Sequence, residues 1–279
     1  MSNAATALST LPVTTELLER LQYFRLDPRV IVDLGCGTGA GATALRRRYP
    51  RARVIGVDIS YAMARAARRA QRFWQRYECL CADASALPLA AESVDLVFSS
   101  LMLQHCGDPA FPFAEVQRVL RPGGLLLFAT LGPGSLPELR EAWTSADESP
   151  HLRELADMPR LAAAATHAGL AEPVMDRDQR VTHYAQVADL MQELRADGAG
   201  RGLAAGRRAL TGRGRWRVMV ERYETLRSSA GIPASWELIY GAAFAGATRQ
   251  SSTQTADGRA GGEVVVPIDA LRTRGRSRP

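Results

Sequence analysis

Residues 29–43 read Arg-Val-Ile-Val-Asp-Leu-Gly-Cys-Gly-Thr-Gly-Ala-Gly-Ala-Thr: an apolar run, one acid, then glycine at every second position. No other stretch constrains the fold as strongly. VIVDL is short, nearly continuous in apolar character and rich in β-branched residues, which suits a strand buried on both faces. Gly35, Gly37, Gly39 and Gly41 then give up their side chains where the strand ends and a helix running to about Arg48 begins. Open α/β sheets bind ligands at this edge, where bare backbone lets a ligand come close.

The rhythm continues along the chain. Leu17, Leu18, Leu21 and Phe24 at helical spacing predict an amphipathic helix over 14–25. Further buried strands are expected at 53–58, 77–83, 94–100 and 125–131, with helices at 60–77 and 110–120, the latter ending at the Pro-Gly-Gly turn of 122–124. Continuous apolar strands alternating with helices indicate a parallel sheet covered on both faces. After Leu131 the pattern turns mostly helical: LAAAATHAGLAEPVMDRDQRVTHY reads as a helix feeding a strand, 186–228 as arginine-rich helix, and SWELIYGAAF (235–244) as strand. The division that follows is an N-terminal helical segment (1–28), a ligand-binding core (29–131), helical insertions with closing strands (132–245), and a flexible loop, a further strand at EVVVPI and a basic tail (246–279).

Composition narrows the chemistry. All 35 basic residues are arginine. Without lysine there is no Schiff base and no phosphate-loop lysine, which excludes pyridoxal enzymes and Walker-type nucleotide hydrolases. Four cysteines (Cys36, Cys79, Cys81 and Cys106) form neither a disulfide framework nor a zinc spacing, so no metal and a reduced, cytoplasmic setting are expected. Cys79 and Cys81 share one face of a strand and read as packing. No apolar run is long enough for a membrane span, and no secretory leader is apparent. The net charge is +6, and Arg195–Arg222 holds eight arginines against two acids. Such a cluster attracts an anion or an acidic partner.

The acids are placed as regularly as the glycines. The first three strands are expected to end in Asp33, Asp58 and Asp83. A carboxylate at Asp58, nineteen residues past Gly39, can accept both hydroxyls of a ribose. Asp83 can receive an exocyclic amine. A nicotinamide-nucleotide fingerprint spaces its glycines differently, with the third arriving one position later than Gly39.

VDLGCGTG, VIGVDIS, CADASALPL, VDLVFSS and RVLRPGGLLLFAT together resemble the class I S-adenosylmethionine-dependent methyltransferases across residues 29–131. The resemblance implies a doubly wound, mostly parallel seven-stranded Rossmann-like sheet with helical insertions over the ligand edge. It implies that Asp33 and the Gly35, Cys36, Gly37 and Gly39 backbone face the methionyl group. Asp58 would hold the ribose, Ile59 would pack on adenine, Asp83 and the Ala84 amide would read its edge, and Ser99 and Ser100 would lie near the sulfonium.

The acceptor is read from the second half. An Asn/Asp-Pro-Pro-aromatic element, expected of enzymes acting on DNA amino groups, is missing where the chain reads SSLMLQHCGDP. That stretch, with FATLGPGSLPELREAW, DMPRLAAAATHAGLAEPVMD, LTGRGRWRVMVERYETLR and IPASWELIYGAAF, resembles the malonyl-[acyl-carrier protein] O-methyltransferases of biotin synthesis over about residues 17–245. The resemblance implies methylation of the free malonyl carboxyl on an acidic carrier protein, with neither nucleic acid nor membrane as partner. Arg207, Arg208, Arg213, Arg215 and Arg217 would face the carrier, and His105 and Arg140 would contact the acceptor carboxylate. No residue is needed as a base, because a carboxylate is already an anion. Trp143 reads as core or as a wall of the acceptor pocket. A methyltransferase for another small acid or thioester, or a non-catalytic S-adenosylmethionine-binding relative, is the alternative.

Overall fold

The computed structural model describes residues 11–71, 76–147, 151–196 and 212–246. Its strands are β1 (Val30–Leu34), β2 (Arg53–Asp58), β3 (Glu78–Cys81), β4 (Val94–Ser100), β5 (Leu120–Leu131), β6 (Leu170–Tyr184) and β7 (Ile232–Ala245). They form one sheet in the order β3-β2-β1-β4-β5-β7-β6. The first five are parallel, and β7 runs antiparallel between β5 and β6. The described residues lie in a single compact unit.

The helices are α1 (Val13–Arg20), α2 (Ala40–Arg48), α3 (Tyr61–Ala70), α4 (Ala110–Val119), α5 (Pro137–Thr144), α6 (Met158–His167), α7 (Val187–Ala196) and α8 (Arg213–Glu224). None of the described helices is long and apolar enough to cross a membrane. The sheet's two faces carry separate apolar cores. One joins α1 and α2 to Trp143, Leu190, Met219 and Tyr223 of the helical insertions. The other packs Phe113 and Val116 of α4 and Leu161 of α6 against the opposite face. The parallel sheet covered on both faces that the strand rhythm predicts is observed, and so is the doubly wound, mostly parallel seven-stranded form that the resemblance implies.

Boundaries differ in instructive ways. α3 ends at Ala70, where Gln71 turns extended, rather than continuing to 77. α4 does not run into the Pro-Gly-Gly turn. The chain leaves the helix at Leu120, which already pairs with Val94, and Gly123 (φ 76°) absorbs the register shift inside β5. β3 stops at Cys81, so Asp83 lies two residues past its strand. The predicted 14–25 helix divides into α1 and a 3₁₀ turn at Leu21–Tyr23. The flexible loop, the EVVVPI strand and the basic tail expected after residue 246 lie outside the described residues.

α1 is bound to the sheet by more than its apolar stripe. Glu16 accepts from the Tyr240 hydroxyl (2.6 Å) and from Arg180 (3.0 Å). Arg20 lies over the Tyr240 ring and pairs with Asp176. Leu17 is fully buried on this helix. Leu17→Ala is expected to lower unfolding free energy by about 2–5 kcal/mol. Guanidinium denaturation measures this, and a loss under 1 kcal/mol would mean that α1 is not part of the core.

Candidate active site

β1 and β4 are neighbours although their helices cross to opposite sides, so a crevice opens beyond their C-terminal ends. Gly35 and Cys36 begin the turn there, and both donate to the Val57 carbonyl of β2, at 2.8 and 3.0 Å. Gly39 N–H donates to the Cys36 carbonyl, and Gly37 N–H to Asp58 Oδ2 at 2.9 Å. Four N–H groups of the loop are thus engaged within the protein. A pyrophosphate would need free donors, and this loop offers few.

Each glycine is bare for its own reason. A Cβ on Gly35 would overlap the Met102 side chain, and one on Gly39 would overlap the Tyr77 hydroxyl. A Cβ on Gly41 would lie 2.8 Å from Asp33 Oδ2. Only at Gly37, among these four, would it meet nothing within 4 Å. Three of the glycines make room for protein, and Gly37 faces open space. Gly35, Gly37 and Gly39 also hold φ of +77°, +52° and +89°, which side chains resist.

Asp58 ends β2 with both carboxylate oxygens in use, Oδ2 on Gly37 N–H and Oδ1 on Ser60 N–H at 2.8 Å. Ser60 in turn caps α3. Asp83 forms a similar turn with Ser85 N–H and stays exposed. Asp33 differs from both. It is the penultimate residue of β1, buried beneath the start of α2, and its Oδ2 has no hydrogen-bond partner. Burial pushes its carboxyl up to about 7, relieved in part by the Ala42 N–H and reinforced by the Asp58 charge. Cys36 is buried against Gly56, and burial raises its thiol too. Its side chain is packing, and only its backbone belongs to the loop.

At the end of β4, Ser99 is buried with an unpartnered hydroxyl, while Ser100 shares a 2.9 Å hydrogen bond with Thr14 of α1. Leu101 then takes a left-handed conformation (φ 55°), an unusual choice for a bulky residue. That turn carries Met102 against Gly35. Ile59 and Tyr61 stand 71% and 70% exposed after β2, apolar surface left uncovered beside the crevice.

His105 lies in a 3₁₀ turn after β4 and is half-buried. Burial lowers its pKa, the Asp58 charge opposes this, and Arg153 reinforces it, a balance that favours the neutral imidazole. Arg140 is exposed on α5. Arg153, which the sequence reading passed over, acts electrostatically on both His105 and Cys106. Glu154, Leu155 and Ala156 line one small cavity with Gln104, Cys106 and Thr130, so this insertion lies on the loop after β4. Trp143 is buried, stacked on His151 at 3.8 Å. Arg215 pairs with Asp147 and Arg217 with Glu221, whereas Arg207 and Arg208 lie outside the described residues.

A doubly wound sheet with a glycine turn, an acid ending β2 and exposed apolar residues behind it defines an S-adenosylmethionine-dependent methyltransferase. The family described as methyltransferase domain matches residues 32–128. The malonyl-[acyl-carrier protein] O-methyltransferase of Gallionella capsiferriformans (strain ES-2) is 41% identical over 251 residues, 88% of this chain and 87% of that protein. The chain belongs to this malonyl-[acyl-carrier protein] O-methyltransferase family. Among solved structures, the YcgJ protein of Bacillus subtilis superposes with a TM-score of 0.59 at 18% identity, over 84% of this chain and 99% of that one. A Haemonchus contortus phosphoethanolamine N-methyltransferase 2 in complex with S-adenosyl-L-methionine gives 0.51 at 20% identity, over 88% of this chain and 55% of that one. These two likenesses concern the fold.

Two measurements separate the roles of the glycines and of Asp33. Gly37→Ala should cost only about 1 kcal/mol of stability, for its left-handed φ, yet abolish cofactor binding by calorimetry. Gly39→Ala should lose more stability, with partial recovery in the Gly39→Ala/Tyr77→Phe double variant, which removes the obstructing hydroxyl. Asp33 holds its proton in the fold up to about pH 7, whereas the unfolded chain releases it near 3.8. Stability therefore falls as pH rises through that window, by up to about 4 kcal/mol from this group alone. Asp33→Asn should flatten this slope in denaturation curves between pH 4 and 8; an unchanged slope would assign it to other groups.

Proposed function

We propose that this protein transfers a methyl group from S-adenosylmethionine to the free carboxyl of a malonyl thioester on acyl-carrier protein, an early step of biotin synthesis. The observation that carries this reading is the 41% identity to a protein of that name across 88% of the chain, helical insertions included.

The residues fit the cofactor. Gly37 leaves open space at the turn, and the loop's spent N–H groups favour a cationic methionyl end over a phosphate. Asp58 would take the ribose hydroxyls, Ile59 would cover adenine, and Asp83 with the Ala84 amide would read its edge. Asp33, through the loop it supports, and the backbone of Gly35, Cys36 and Gly39 would shape the methionyl pocket. Ser99 and Ser100 would flank the reacting end. When bound, the cofactor supplies a sulfonium methyl that a carboxylate oxygen accepts as the carbon–sulfur electron pair returns to sulfur.

The chain's own part is positioning and exclusion of water. The acceptor arrives as an anion, so no proton has to be removed. Neutral His105 donates a hydrogen bond rather than serving as base, and Arg153 supplies positive field beside it. Arg140, exposed on α5, is the weaker candidate for contact with the carboxylate. The arginine-rich insertion attracts the acidic carrier, and the reaction is placed in the cytoplasm.

Purified protein with S-adenosylmethionine and malonyl-acyl-carrier protein should add one methyl by mass spectrometry, and none to acetyl-acyl-carrier protein. His105→Asn should lower kcat less than about tenfold, short of the 10²–10⁴-fold expected when a general base is removed. A loss of 10³-fold, or methylation of the acetyl control, would overturn the mechanism.

A further inference from the structure

The arginine-rich insertion is not uniformly available to a partner. Arg215 is 3.3 Å from Asp147, Arg217 is 2.8 Å from Glu221, and Arg222 is 2.6 Å from Glu141. Their charge is largely returned to the protein. Arg195 on α7 and Arg213 at the start of α8 have no carboxylate partner among the described residues, and both are exposed. These two line the same cleft, about 420 Å³, whose remaining walls are Trp143, Met191 and Trp216.

The cleft is firmly built. Trp143 stacks on His151 with an interplanar angle of 8°, and the Trp143 and Trp216 rings meet at 6.2 Å. Asp147 holds both His151, at 2.9 Å, and Arg215. The α5–α8 pair is closed by Arg222 and Glu141. Two indoles and a thioether thus form an apolar floor with two unneutralised guanidinium groups at its sides. Tryptophan, methionine and arginine are the residue types enriched at the centres of protein interfaces.

We infer that the cleft of Trp143, Met191, Trp216, Arg195 and Arg213 is the seat for the carrier protein, receiving an apolar side chain that protrudes between two carboxylates. This rests on the carrier-dependent reading above and changes its residues. Arg195, outside the cluster expected from sequence, takes a direct part. Arg215 and Arg217 act through structure and long-range field. An exposed apolar residue alone would gain little specificity, and carboxylates alone would be screened by salt. The pairing of floor and flanks selects a surface carrying both.

The test is steady-state kinetics with malonyl-acyl-carrier protein and with malonyl-coenzyme A, which presents the same acceptor without the protein. Arg195→Glu/Arg213→Glu should raise KM for the carrier substrate roughly tenfold or more, with kcat, cofactor affinity and malonyl-coenzyme A kinetics unchanged. Trp216→Ala should raise the same KM with little change in its salt dependence. Arg47→Glu/Arg51→Glu on and beside α2 alters net charge equally and should leave the carrier KM within about threefold. Equal loss with malonyl-coenzyme A would assign the cleft to the acceptor or its prosthetic arm and overturn the proposal. So would equal loss in the Arg47/Arg51 variant, which would reduce the effect to overall charge. Failure of the unaltered protein to methylate the carrier substrate would instead defeat the functional reading itself.

Discussion

The carboxylate of Asp58 joins the two halves of the crevice. One oxygen takes the Gly37 N–H of the turn after β1, and the other takes the Ser60 N–H where α3 starts. A charge-assisted pair of this kind fixes the distance between neighbouring strand ends. The turn can then stand open at Gly37 without collapsing, because Val57 and Cys36 carbonyls hold its other N–H groups. The group proposed to read a ribose is therefore the group that builds the loop beside it. Buried Asp33 supports the same loop from below, in contact with Gly41 and charged only at a cost to stability.

The parallel core was legible because its central strands β1, β2 and β4 are buried on both faces. Continuous apolar runs such as VIVDL and VDLVFSS admit few alternatives, and their successors fell into place with the helices between them. The site was legible only in part. Asp58 lies at its strand end as expected, but the spacing of Gly35, Gly39 and Gly41 answers to Met102, Tyr77 and Asp33, the first two of which lie 67 and 38 residues along the chain from their glycines. Alternating glycines look the same whether they admit a ligand or a tyrosine hydroxyl. Leu101 in a left-handed conformation has no sequence signature at all. The electrostatic reach of Arg153 and the freedom of Arg195 depend on which acids stand near each arginine, and linear charge counts do not contain that.

Substrate-side elements are integrated with the sheet rather than appended to it. The core that holds β1 and β4 also contains Leu17 of α1, Trp143 of α5, Leu190 of α7 and Met219 of α8. Thr14 meets Ser100 at the crevice, and Glu16 meets Tyr240 of β7. The N-terminal helix, the insertions and the reacting edge thus share one packing unit. Changes made for carrier recognition on the outer face of α5 and α8 act on residues whose inner faces support the crevice.

The position of β7 has a consequence for how the molecule is made. It is the last described strand in the chain, yet it lies between β5 and β6. A growing chain emerges with β5 showing an unpaired edge and with β6 lacking any neighbour in the sheet. Only when residues 232–245 leave the ribosome do both gain partners, through β7's long antiparallel registers with β5 and β6. The antiparallel end of the sheet is therefore complete only once its last described strand is in place, so a chain cut short before residue 232 would expose the edge of β5 and leave β6 without a neighbour.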